Sequence, residues 1–262
     1  MEFIGQQQIM RELGIHLPKI VMDRGYNPAF LLFGKSGHGK TDMALKMANY
    51  ITKGNFLLLI EEDSAKAVEK ILNSRVRVVI LDEIHFMKNP EILYPILDKR
   101  NRVYIGTTNQ GHLLKEALVR RFIRLEFQPY SQKELEEIVF VKFPLLRKMD
   151  LECAKIIVDA SNGSPAVVEQ ICNRLRAVFL GRTIVTPNDI SIAITEVLNI
   201  KDGLSPMAQE YMQALNRLGT ASLDTISGII GISRDLIKFE IEPVLLYRGL
   251  IKITSRGRSI VI

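Results

Sequence analysis

LLFGKSGHGKTDMA, residues 31–44, sets two spaced glycines, a lysine and a threonine directly behind a short apolar run. Gly34-Lys-Ser-Gly-His-Gly39-Lys40-Thr41 fits G-x-x-x-x-G-K-[ST], the loop that cradles a nucleotide's phosphates. The context agrees. Ala29–Phe33 reads as a buried strand leading in, and Lys40–Tyr50 as a helix leading out. Gly34, Gly37 and Gly39 let successive backbone N–H groups turn inward, and the helix N-terminus adds a positive end. Lys40 is expected to reach the β- and γ-phosphates of ATP, and Thr41 to hold Mg²⁺ through its hydroxyl. The alternative is a plain flexible turn between a strand and a helix.

A phosphate loop that hydrolyses its nucleotide needs a carboxylate for the metal's water shell and a base for the attacking water. VVILDEIH, residues 78–85, offers both at the end of an apolar, β-branched run. Asp82 is the expected metal partner and Glu83 the expected base. His85 can polarise Glu83, bind substrate or simply pack, and is given no catalytic role. The next apolar run, VYIGTTN (103–109), ends in polar residues. Asn109 is chosen to orient the water or sense the γ-phosphate; a turn-capping asparagine is the alternative.

Working outward, Phe56–Glu61 and Val76–Leu81 read as the second and third strands. Ser64–Leu72 is a helix with Ser64 as its cap, and Pro90–Asp98 a short helix. Arg102–Thr107 is a fourth strand and Arg124–Phe127 a fifth. This alternation implies a doubly wound α/β domain over residues 1–128. Ser131 and Glu134 form a capping box, and helices follow over 131–140, 150–161, 164–180 and 187–198. Residues 129–200 are therefore expected to be an all-α domain. Lys201-Asp-Gly203 reads as a linker. LDTISGIIGISRDLIKFEIEPVLLYRGLIKI (223–253) resembles a helix-turn-helix with a β-wing, so residues 201–262 are expected to be a winged helix.

The 262 residues, 47% hydrophobic and 24% charged, are ordinary for a globular protein. No apolar run reaches 18 residues, and MEFIGQQQIMREL lacks the layout of a signal peptide. Cys153 and Cys172 have no metal spacing and suit a reducing cytoplasm. The net charge of +6 is compatible with nucleic acid but does not specify it.

Five motifs together resemble the RuvB family of AAA+ ATPases, Holliday-junction branch-migration motors. They are EFIGQ (2–6), FLLFGKSGHGKT (30–41), ILDEIHFMKNPEILYPILD (80–98), IGTTNQGHLLKEALVRRF (105–122) and IEPVLLYRGLIKITSRGR (241–258). The resemblance implies an AAA+ domain, a helical lid and a winged helix. It makes Arg121 an arginine finger acting across a subunit boundary, with Arg120 as the neighbouring candidate, and so implies a homo-oligomer, a hexameric ring. It also places Ile4 and the Ala29–Phe30 strand entrance near adenine, and Pro165 among the nucleotide-binding residues. The chain departs from the family in three ways. Ala166 stands where the sensor-2 arginine is expected. The hairpin that contacts RuvA is missing between Asp98 and Tyr104, which speaks against a RuvA-type contact and leaves the protein partner open. The chain is also short.

The C-terminal stretch 248–262 carries Arg248, Lys252, Arg256 and Arg258 and no acid. Arg256 and Arg258 at a hairpin tip, with Arg234 and Lys238 on the recognition helix, are expected to meet DNA phosphates. Protein docking or a solvated turn is the alternative for the wing. Three functions fit: an ATP-hydrolysing DNA translocase or helicase, an ATP-switched loader that recruits a helicase, clamp or transposase, and a DNA-binding regulator with a structural nucleotide site.

Overall fold

The computed structural model describes residues 2–60, 62–147 and 150–261; Glu61, expected at the end of the second strand, lies outside them. The chain divides into two compact units, residues 1–134 with 164–166, and residues 135–163 with 167–262.

The first unit runs α1 (Gln7–Met22), β1 (Ala29–Phe33), α2 (Lys40–Thr52), β2 (Phe56–Ile60), α3 (Ser64–Asn73), β3 (Val78–Asp82), α4 (Tyr94–Asp98), β4 (Val103–Thr108), α5 (Glu116–Val119) and β5 (Ile123–Glu126). Among the described residues these strands form one parallel sheet in the order β2-β3-β4-β1-β5. Every residue of β3 and β4 is buried, which is why both read as unbroken apolar runs. The two-residue period of a strand splits β3 between two cores. Val78 and Ile80 pack with residues of α1 and α2, whereas Val79 and Leu81 pack with residues of α3 and α4.

The order of the strands positions the site. The chain leaves β1 for β2, then returns with β4 between β3 and β1, so the C-terminal ends of β1, β3 and β4 meet. Register aligns Leu81 with Gly106 and Phe33 with Thr108. Asp82, Thr107 and the first residue of the glycine loop therefore share one edge, the usual ligand side of an open parallel sheet.

One helix start differs from expectation. Asp63, not Ser64, caps α3: its carboxylate accepts from the Ala65 N–H at 3.0 Å. Ser64 is the first helical residue, and its buried hydroxyl instead donates to the Lys88 carbonyl. Two adjacent good capping residues made the sequence ambiguous by one position.

In the second unit, α6 (Gln132–Lys142), α7 (Leu151–Ala160), α8 (Pro165–Val178) and α9 (Pro187–Ile192) pack together, α9 continuing into a π turn at Ala193–Val197. Ser131 and Glu134 make both halves of their capping box, as do Thr186 and Asp189. Cys153 and Cys172 are buried free thiols. The segment 201–203, expected as a linker, is a pinned turn. Lys201 pairs with Leu204, the Asn162 side chain donates to the Gly203 carbonyl, and Arg248 donates to the Asp202 carbonyl.

Beyond it come α10 (Pro206–Leu218), β6 (Thr220–Ala221) and α11 (Leu223–Ile230). Gly231, with φ 69°, ends α11, and the Ser233 hydroxyl caps the following helix. That helix comprises α12 (Arg234–Leu236), a π turn at Ile237–Ile241 and α13 (Glu242–Tyr247). β7 (Ile251–Thr254) and β8 (Gly257–Ile260) complete a three-stranded antiparallel sheet in the order β6-β8-β7. β6 is too short to be read from sequence.

A buried polar cluster ties this sheet to its helices and corrects one expectation. Arg258 lies within β8 rather than at the hairpin tip, and its guanidinium meets Glu242 at 2.7 and 3.3 Å. The Tyr211 hydroxyl donates to the same carboxylate at 2.9 Å. Glu242 is 2% exposed, and its hydrogen bond, with its charge behind it, holds Arg258 above its ordinary pKa. Arg258 is thus a structural cation, because strand alternation turns it inward where a carboxylate waits. Breaking a buried pair by removing one partner leaves an uncompensated charge. Glu242→Leu should lower unfolding stability by about 3 kcal/mol in urea titration; Arg256→Leu, at the exposed turn, should change it by less than about 0.5 kcal/mol.

Candidate active site

The glycine loop leaves β1 and enters α2 with Gly39, at φ 87°, as the residue before the helix. Gly37 is also left-handed, at φ 75°, and a Cβ there would come 2.7 Å from the Ser164 hydroxyl and 3.2 Å from the Ala166 methyl. The Ala166 N–H donates to the Gly37 carbonyl at 3.1 Å. Pro165 therefore stands beside the loop, at the start of α8. Gly34, at the strand end, donates its N–H to the Thr108 carbonyl at 3.3 Å.

Lys40 is buried, and its ammonium donates to the carbonyls of Gly34 (3.0 Å) and Lys35 (2.9 Å), spanning the base of the loop. Burial pulls its pKa below the ordinary lysine value, while Glu83 and Asp82 oppose that shift. The Thr41 hydroxyl donates to Asp82 Oδ1 at 2.8 Å, and the Thr107 hydroxyl donates to the same oxygen at 2.7 Å. Thr107 Oγ1 also accepts the Glu83 N–H at 2.9 Å. Glu83 itself is held at φ 49°, a costly backbone state for a side chain with a Cβ and one that clusters at functional sites.

A serine- or threonine-type hydroxyl beside a carboxylate is an all-oxygen donor pair of the kind Mg²⁺ takes together with water and phosphate oxygens. Among the described residues no cluster of three His, Cys, Asp or Glu could hold a metal. A loop-bound ion needs no such cage, since phosphate and water complete its shell. Asn109 Oδ1, just past β4, and His38 Nδ1, within the loop, are buried polar atoms of the same region that have no hydrogen-bond partner among the described residues. Unpaired buried acceptors of this kind fit a site built to receive a polar ligand.

The structure thus brings together Gly34, Gly37, Gly39, Lys40, Thr41, Asp82, Glu83, Asn109 and Pro165 in the first unit. Thr107 is one of the polar residues that end the VYIGTTN run, but nothing in the sequence preferred it to Asn109. Its signal was a threonine at the last buried turn of a strand, and only the pairing of β4 with β3 aims it at Asp82. Gln6 was likewise not singled out. Its side-chain amide makes two bonds with the Gln128 backbone, both at 2.8 Å, and so fixes the N-terminal strap that carries Ile4. Ala29–Phe30 stands away from the phosphate loop. It lies at the opposite end of β1, roughly 16 Å from the loop at a strand's rise per residue, and Phe30 is fully buried.

Arg121 stands apart. Its guanidinium forms a two-pronged pair with Asp98 at 2.9 and 3.0 Å, donates to the Ala117 carbonyl at 2.6 Å, and lies 4.1 Å from the centre of the Tyr94 ring. Arg120 pairs with Glu116 one turn back. In the second unit Arg234 pairs with Asp224 at 2.8 Å, and both are largely exposed. Lys238 is exposed in the π turn beside the Phe239 ring, and Arg256 is exposed in the β7–β8 turn.

Residues 30–130 match the family of ATPases associated with various cellular activities, and residues 201–261 match the RuvB C-terminal winged helix domain. The chain is 26% identical over 291 aligned residues to the Holliday junction branch migration complex subunit RuvB of Mycoplasma genitalium, covering 99% of this chain and 92% of that protein. To the Thermotoga maritima subunit of the same name it is 28% identical over 298 residues, covering 99% and 87%. The solved structure of the Thermotoga maritima RuvB Holliday junction branch migration motor superposes with a TM-score of 0.80 at 28% identity, covering 99% of this chain and 93% of the other.

The chain belongs to the RuvB family.

As a RuvB-family protein it is an AAA-type ATPase and binds nucleotide through the parallel-sheet unit, with a winged helix at its C-terminal end. No helix among the described residues is long and apolar enough to cross a membrane.

His38 gives this RuvB-family loop a pH signature. Burial, and then the charges of Lys40 and Lys35, press its pKa from 6.5 to about 4. The unfolded chain therefore binds a proton between these values when the folded one does not, so stability rises with pH across that window. Lowering the pH from 7 to 5 should cost about 1–2 kcal/mol through this group. The dependence should flatten in His38→Gln, read as urea midpoints at a series of pH values.

Proposed function

We propose that this RuvB-family chain is an ATP-driven DNA motor acting on branched DNA as a hexameric ring. The observation that carries the reading is the Thr41–Asp82–Glu83 cluster, assembled beside Lys40 at the C-terminal edge of the sheet. Catalysis there is positioning and charge neutralisation for phosphoryl transfer to water. The N–H groups of the Gly34–Thr41 loop hold the phosphates, and Lys40 turns from the carbonyls of Gly34 and Lys35 to the β- and γ-phosphates. Thr41 and Asp82 are the residues that would hold Mg²⁺, which when bound neutralises phosphate charge. Glu83 takes a proton from the attacking water, and Asn109 orients that water or senses the γ-phosphate. Ile4 and Pro165 flank the nucleotide.

Arg121 completes the site of the neighbouring subunit. To do so it leaves Asp98, so ring assembly exchanges an internal carboxylate for a phosphate. The domain plan is an AAA+ domain over 1–128, a helical lid over 129–200 and a winged helix over 201–262, working in the cytoplasm. Arg234, Lys238 and Arg256 meet DNA phosphates. A RuvA-type contact is not part of the proposal, because only residues 99–102 join α4 to β4. One observation favours a loader as the second reading: Ala166, at the sensor-2 position, offers a methyl group and a backbone N–H to the loop rather than a cation.

ATP turnover should rise with branched DNA and drive displacement of a strand or of a streptavidin block; turnover without displacement would select the loader. Arg121→Ala should lower turnover about 10³-fold and leave nucleotide affinity unchanged. Mixing Arg121→Ala subunits with Lys40→Ala subunits should restore part of the activity if the finger acts in trans. Arg256→Ala should reduce the salt slope of DNA binding by about one.

A further inference from the structure

Thr107, the fifth residue of β4, is fully buried. Strand alternation puts it on the side of the sheet where Val103 and Ile105 pack with residues of α1 and α2. There it meets Asp82, at the end of β3. Its hydroxyl is used twice. The proton goes to Asp82 Oδ1 at 2.7 Å, and a lone pair accepts the Glu83 N–H at 2.9 Å. One oxygen thus holds the side chain of one residue and the backbone of the next. Thr108 is committed elsewhere: its Oγ1 lies 3.0 Å from His85 Nδ1 and accepts the Gln110 N–H at 3.0 Å.

We infer that Thr107 is a positioning residue for ATP hydrolysis, setting the Mg²⁺ carboxylate through the Asp82 side chain and the base through the Glu83 backbone. The inference deepens the hydrolytic reading of this site and rests on Asp82 serving the metal and Glu83 serving the water. Asp82 Oδ1 carries two hydroxyls, from Thr41 and from Thr107. They use both lone pairs of that oxygen, and Oδ2 remains for the metal's water shell. Thr41 is the other residue that would hold Mg²⁺, so its hydroxyl answers to the ion as well as to Asp82. The Thr107 hydroxyl has only protein partners, and it keeps the carboxylate in place whichever way Thr41 turns.

On the other side, Glu83 sits at φ 49°, a left-handed state that persists only where the surroundings hold it. Thr107 supplies the acceptor for its N–H. Without that acceptor the peptide can turn and carry the carboxylate off the line of the attacking water. The role requires a hydroxyl rather than a shape. Threonine also aims it, because a β-branched side chain has few settings of χ1. Serine keeps the hydroxyl with a freer χ1, whereas valine keeps the shape and loses both bonds.

The test uses the full-length oligomer and two readouts: binding of a fluorescent ATP analogue, in EDTA and with Mg²⁺ titrated in, and steady-state ATP turnover. Asp82→Asn and Glu83→Gln come first. If Asp82→Asn leaves the Mg²⁺ dependence of binding unchanged, or Glu83→Gln turns over ATP at the wild-type rate, the reading of the site has failed and the inference falls with it. If both are impaired as that reading requires, Thr107→Val should raise the Mg²⁺ concentration for half-maximal binding about 10-fold and lower kcat about 10- to 100-fold, with affinity in EDTA changed less than about twofold. Thr107→Ser should recover most of both losses. Should Thr107→Val fail to fold, Thr107→Ala carries the test with the same expected outcome. A wild-type Mg²⁺ requirement or a wild-type kcat in Thr107→Val would overturn the inference. So would Thr107→Ser no better than Thr107→Val, a loss of affinity in EDTA that accounts for the fall in rate, or failure of both Thr107→Val and Thr107→Ala to fold, which would make Thr107 a residue of the fold alone.

Discussion

One carboxylate oxygen holds the site together. Asp82 Oδ1 accepts a hydroxyl from Thr41, at the start of α2, and another from Thr107, near the end of β4. Three elements that leave the sheet in different directions are thereby joined at one atom. The charge on that oxygen makes both bonds stronger than neutral ones. It is placed in a buried setting where they replace few contacts with water. Thr107 then accepts the Glu83 N–H, so the left-handed backbone of Glu83 is also tied to this point. The parallel sheet is what allows it: all five strands deliver their C-terminal ends to the same edge.

Lys40 and His38 in the loop, and Arg121 apart from it, are held by contacts within the chain. Lys40 is bound to two carbonyls of its own loop, and burial weakens its hold on its proton. His38 is kept neutral by the same burial and the same lysines. Arg121 is satisfied by Asp98, Ala117 and Tyr94. Lys40 and Arg121 each have hydrogen-bond partners within the chain, and those partners are oxygens.

The winged helix spends its charges differently. Of the four cations between residues 248 and 262, Arg248 and Arg258 are tied to groups of the same unit, to the Asp202 carbonyl and to Glu242. Arg256 and Lys252 remain on the exposed surface. Sequence reading counted all four alike, since charge is visible in the chain but its direction is not. Arg258 shows the reason: its strand register against Ala221 points the guanidinium into the core, toward a glutamate sixteen positions earlier.

Local pattern was enough for much of this protein. The glycine spacing, the apolar run ending in Asp82-Glu83, the capping residues Ser131, Thr186 and Ser233, and the Gly231 turn are short-range signals, and each acts through backbone chemistry within a few residues. They determined the five strands of the parallel sheet and most of the residues gathered at its C-terminal edge. What they did not contain were contacts between residues distant in the chain. Thr107 on Asp82, Thr108 on His85, Gln6 on Gln128, and Glu242 on Arg258 all depend on register and on the order of strands. A hydrogen bond needs an angle and a distance, and these exist only once the sheet has closed. The chain by itself specified which groups were available; the tertiary structure alone decided which of them face one another.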